Sequence, residues 1–143
     1  MYSVDLVAKY IIMRCNQMGK TISNLKLQKI LYFVQAEFLV AKGYPCFPER
    51  IEAWDFGPVV PDAYRRYKIY GSASIPFMGE DYSHLFSPDD KMMIDEIVEQ
   101  CAKYSASTLV EITHHQAPWQ NAYRSRSNNL IDPDSIRRFF KEA

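Results

Sequence analysis

Only three cysteines, five glycines and no excess of charge of either sign occur in this 143-residue chain, and each shortage closes off a class of function. Cys15, Cys46 and Cys101 stand alone, without the short paired spacing of a zinc site or the even count of a disulfide framework, so a reducing cytoplasm is the expected compartment. Seventeen basic residues balance seventeen acidic ones, which leaves no overall field to draw the chain onto nucleic acid. The local groups Arg65, Arg66 and Lys68, and Arg124, Arg126, Arg137 and Arg138, read as solvated sides of helices. No apolar run reaches membrane-spanning length, and Asp5, Lys9, Arg14 and Asn16 interrupt Met1 to Met18, so neither a signal peptide nor a membrane segment is expected.

Catalytic signatures are missing as well. There is no glycine-rich phosphate loop and no serine in a nucleophile elbow. His114 and His115 are adjacent, about 100° apart on a helix, and cannot chelate one metal as an i, i+4 pair would. His114 suits the C-terminal end of a helix, where an imidazole satisfies free carbonyls. Glu111 and His114 at i, i+3 make only a weak acid–base signal without a pocket motif around them. The expectation is a non-enzyme with no metal and no cofactor.

What is present is helical periodicity, enough chain for one domain over residues 1–143, and a core covering roughly 70% of the unfolded surface. Ser3 caps a first helix whose inner face runs Val4, Val7, Ala8, Ile11, Cys15 and Met18. Ser23 caps a second, with Ile22 and Leu27 placed as a hydrophobic staple, ending before Gly43. Its apolar residues form two arcs: Leu27, Ile30, Leu31, Val34 and Phe38, then Leu25, Tyr32, Ala36, Leu39 and Val40. Gln28, Gln35 and Lys42 lie between them. A helix apolar on two sides belongs in the middle of a fold, where Gln28 and Gln35 are expected to tie down neighbouring backbone, a ligand contact being the lesser reading. Further on, Ser87, Pro88 and Asp90 start a helix burying Met93, Ile94, Ile97, Val98, Cys101 and Tyr104. A short helix follows through Leu109 and Ile112 to His114, Pro118 and Trp119 restart a helical turn, and Asp132 with Pro133 opens a last helix burying Ile136, Phe139 and Phe140.

The segment Ile51 to Tyr64, IEAWDFGPVVPDAY, changes structural grammar three times. Ile51, Ala53, Trp54 and Phe56 suit a half-buried strand, Gly57 and Pro58 stop it, and Pro61 with Asp62 opens a helix carrying Tyr64 and Tyr67. Gly57 permits a sharp turn and a close approach, and Trp54 offers a large amphipathic contact, structural first and functional second. The fold class is therefore mainly α with some β: a single helical domain with a central buried helix and a two- or three-stranded β element around residues 47–56.

Four segments carry a likeness over nearly the whole length: ISNLKLQKILYFVQ (22–35), IEAWDFGPVVPDAYRRYKIYG (51–71), STLVEITHHQAPWQNA (107–122) and IDPDSIRRFF (131–140). In order and spacing they resemble the Panacea-domain family, antitoxins of bacterial and phage toxin–antitoxin systems. The resemblance implies a protein that neutralises a cognate toxin, encoded by an adjacent gene, through direct protein contact, some members acting as adaptors that deliver the toxin to a cytoplasmic protease. Aromatic residues are 14% of the chain, and Trp, Tyr and Arg dominate interface hot spots. The expected partner contacts are Trp54, Asp55, Phe56, Gly57, Pro58, Tyr64, His114, Pro118 and Trp119. The alternative is a small nucleic-acid-binding regulator that uses the arginine-bearing helices, although no appended helix-turn-helix pattern is present.

Overall fold

The computed structural model describes residues 1–77 and 79–142. Ser3 ends an extended lead-in and accepts the Leu6 amide at 3.2 Å, opening helix α1 (Val4–Gln17). Ser23 does the same for the Lys26 amide and opens α2 (Asn24–Ala41). The chain then forms β1 (Glu52–Trp54), β2 (Gly57–Val59), α3 (Pro61–Tyr67), α4 (Pro88–Cys101), α5 (Ala106–His114), α6 (Ala117–Ala122), β3 (Asn129–Leu130) and α7 (Pro133–Glu142). Single 3₁₀ turns follow α3 and precede α4.

Helix α2 is the axis, touching α1, α3, α4, α5, α7 and β2. Its two apolar arcs explain this: Leu27, Ile30, Leu31 and Val34 on one side and Tyr32 on the other have no accessible surface, and Ala36 and Leu39 are nearly as deep. Each buried side chain of this size contributes about 1.5–3 kcal/mol, so α2, together with α1, is a main source of apolar stabilisation. Gln28 and Gln35 act on the backbone as expected. Val60 N–H donates to Gln28 Oε1 at 3.0 Å. Cys46 and Phe47 amides donate to Gln35 Oε1, and Gln35 Nε2 donates to the Phe47 carbonyl. Loop backbone that could not otherwise be buried is thereby satisfied.

The sheet has the order β2-β1-β3, both pairs antiparallel. It begins at Glu52 rather than Phe47 and runs past Phe56: Gly57 and Pro58 do not stop the strand but start its partner, with Ala53 opposite Pro58 and Trp54 opposite Gly57. Proline fits because β2 is an edge strand, where the missing N–H removes no ladder bond. That edge is covered by side chains of α2, as Lys29 Nζ donates to the Pro58 carbonyl at 2.8 Å and Gln28 takes the Val60 amide.

Several apolar residues lie nearer the surface than their periodicity suggests. Tyr104 is exposed because α4 ends three residues earlier, and Met18, Phe139 and Phe140 are only half-buried at helix ends. Phe140 still meets Tyr32 and Phe33 edge-on, closing α7 over α2.

Candidate functional site

The β1–β2 turn, Trp54 to Gly57, projects toward the end of α5 and onto α6, and its main chain is held there by ring nitrogens. Trp119 Nε1 donates to the Trp54 carbonyl at 2.8 Å, and His114 Nε2 lies 2.9 Å from the Asp55 carbonyl, which can only accept and so requires a protonated Nε2. Tyr123 O–H donates to Asp55 Oδ1, a bond that raises the phenol's pKa. The three rings form a stack: His114 and Trp119 centroids are 4.2 Å apart, Trp119 and Tyr123 4.5 Å. Gln120 Nε2 closes the α5–α6 corner on the His114 carbonyl.

On the other flank, Trp54 meets Tyr64 edge-on at 4.9 Å and Phe56 at 5.9 Å. Trp54 Nε1 donates to Glu52 Oε1, which orients the indole. Tyr64 is braced from beneath by a polar relay along α2. Gln28 Nε2 donates to Asn24 Oδ1, and Asn24 Nδ2 donates to the Tyr64 carbonyl. Trp54, Asp55, Phe56, Tyr64, His114 and Trp119 thus share one surface, with Asp55 and Phe56 exposed and the rest half-buried. Gly57, Pro58 and Pro118 lie under it, buried. They shape this surface without forming part of it.

Beneath the turn sits the residue the sequence reading passed over. Lys29 has no accessible surface, bonds only the Pro58 carbonyl, and has no carboxylate partner among the described residues. Desolvation pulls its ammonium down to about 7 from the ordinary 10.5. Gly57 has φ +101°, and a Cβ there would stand 2.6 Å from Lys29 Cε and 2.8 Å from Thr113 Oγ1. Glycine is thus required twice, for the dihedral and for the approach of α2 and α5. A sequence signal for Lys29 exists, since it falls at i+4 from Leu25 and i−3 from Tyr32, inside the second apolar arc. Thr113 and Gln116 are also buried, Gln116 accepting from Tyr32 O–H at 2.8 Å, and Tyr123 completes the stack from beyond the segments first singled out.

His114 does not cap its own helix. It reaches across to Asp55, and His115 instead places Nδ1 2.8 Å from the Glu111 carbonyl. Glu111 faces His115 at 3.6 Å, both exposed, rather than His114. Among the described residues no three His, Cys, Asp or Glu side chains are placed to hold a metal, and no helix is long and apolar enough to cross a membrane. Arg65 and Arg66 are engaged by Asp62 and Asp5.

A family model described as Antitoxin SocA-like, Panacea domain, matches residues 27–120, which take in α2 from Leu27 onward, the hairpin, α5 and Trp119. Antitoxin SocA of Caulobacter vibrioides (strain NA1000 / CB15N) is 33% identical over 141 residues, covering 90% of this chain and 75% of that protein. No solved structure matches the chain.

Proposed function

The chain belongs to the SocA-like Panacea-domain antitoxin family, and from that premise we propose that it neutralises a cognate toxin by direct contact through the ring-bearing surface at the β1–β2 turn. The observation that carries this reading is the way the turn is held. Trp54, Phe56 and Tyr64 present large rings in a fixed geometry, and the backbone beneath Trp54 and Tyr64 is held by part-buried hydrogen bonds from α2 and α6. Pre-organised aromatic groups lose little freedom on docking and are the side chains that concentrate binding energy. Asp55 supplies an exposed acidic acceptor between them, suited to a cationic or hydrogen-bond-donating group of the partner. The toxin is taken to be encoded next to this chain and met in the cytoplasm, where the complex either masks it or presents it to a protease.

Co-expression with each neighbouring reading frame tests the proposal. The expected result is rescue of a growth arrest caused by the neighbour alone, with co-purification of the two proteins. Joint replacement of Trp54, Phe56 and Tyr64 by alanine should weaken binding by about 2 kcal/mol or more while the domain stays folded. Full rescue by that variant would place the contact elsewhere. A fall in toxin level that depends on a protease would select delivery over masking.

A further inference from the structure

Away from the turn, the N-termini of α2 and α5 converge on one cavity of about 360 Å³ lined by Thr21, Ser23, Lys26, Ser72, Ser74 and Ser105. The two helices are 18 and nine residues long, and their first-turn amides, those of Asn24, Leu25, Ala106 and Ser107, have no intrahelical partner. Ser23 and Ser74 accept the amides of Lys26 and Ile22, so their own O–H groups remain available to donate. No carboxylate lines the cavity.

Lys26 decides what this arrangement is for. It is 8% exposed, lines the cavity, and its ammonium has neither a hydrogen-bond nor an ion-pair partner among the described residues. The first turn of a helix is the least favourable place for a cation, because each N-terminus carries about half a positive charge. Here two such ends, at Ser23 and Lys26 and at Ser105 and Ala106, border the same space as the Lys26 side chain. The neighbouring thiols do not compensate, since burial pushes Cys15 up to about 11 and Cys101 to about 12 and keeps both neutral. Lys26 therefore brings a cation without an anion to the cavity, and helix N-termini with hydroxyl donors are a known means of holding phosphate.

We infer that this cavity binds a phosphoryl group, held by Lys26, the first-turn amides of α2 and α5 and the serine hydroxyls. The volume exceeds that of orthophosphate alone, so a small phosphate monoester also fits.

The test is a titration of the ¹⁵N-labelled full chain with orthophosphate and, separately, with AMP, ionic strength held constant with sodium chloride. Saturable shifts are expected at the amides of Asn24, Leu25, Ala106 and Ser107. Lys26→Met should weaken binding at least tenfold, and Lys26→Arg should retain it. Should Lys26→Met fail to fold, Ser72→Asp places a carboxylate at the exposed mouth and should also weaken binding at least tenfold. Tighter binding of AMP identifies an ester as the ligand, and equal binding identifies the free anion. No saturable shift at these amides with either probe, or binding unaltered in the variants, would overturn the inference.

Discussion

Replacing Lys29 by methionine should make the protein more stable at pH 7, although it removes a well-formed hydrogen bond. The folded amine titrates at about 7 and the unfolded one at the ordinary 10.5. At about 1.4 kcal/mol per pH unit, burial of the ammonium costs about 5 kcal/mol when it is fully protonated and about 4 kcal/mol at pH 7. Methionine has similar length and no charge, so that cost vanishes. Against it stands the Pro58 carbonyl, left buried without a partner at a cost of about 1–3 kcal/mol. The desolvation term wins, and a net gain of about 1–3 kcal/mol is expected in urea unfolding at pH 7. The same group sets a pH dependence. Between 7 and 10.5 the unfolded chain binds the extra proton, so stability rises with pH; it is lowest below 7, and the penalty is gone above 10.5. From pH 7 to 8.5 the native protein should gain about 1.6 kcal/mol, and Lys29→Met should lose that slope. A Lys29→Met protein less stable than the native one at pH 7, together with a flat native profile over the same range, would show that the ammonium is solvated or paired and would refute the argument.

Gly57→Val should cost about 3 kcal/mol or more, since its Cβ meets Lys29 Cε and Thr113 Oγ1 inside van der Waals distance at φ +101°; an unchanged melting temperature would contradict the strained corner. Gln35→Leu leaves the Cys46 and Phe47 amides and the Phe47 carbonyl unpaired in the interior, and a loss of about 3 kcal/mol or more is expected by chemical denaturation. Cys15, Cys46 and Cys101 are buried with thiols pushed to about 11, 12 and 12, so an aromatic disulfide reagent at pH 8 should react at the rate of unfolding, and rapid labelling of any one would show an open route to it.

Helix starts were legible because they are local. Ser3, Ser23 and Ser87 each accept the amide three residues on, and Pro61 sits at a first helical position, all within one turn of sequence. The central place of α2 was legible from its two arcs, and the backbone role of Gln28 and Gln35 from their position between them. The second strand was not, because Gly57-Pro58-Val59 has poor β propensity and becomes a strand only through Glu52–Trp54 on one side and Lys29 and Gln28 on the other. Asn129–Leu130 pairs across some 77 residues, with no local signal to announce it. Lys29 escaped notice because a periodicity reading treats lysine as solvated, and desolvation beneath β2 and α5 is a property of the assembled fold. The ring surface was half legible: Trp54, Phe56, Tyr64, His114 and Trp119 stood out as types, but that His114 and Trp119 grip the turn is a long-range fact.

The grip on the turn has a further consequence. Trp119, His114, Lys29 and Gln28 fasten it by the carbonyls of Trp54, Asp55 and Pro58 and the amide of Val60, groups that every sequence possesses. Mutational drift at positions 54, 56 and 64 therefore alters what the surface offers without loosening what it rests on. Heredity can rewrite the lettering here while the page stays bound.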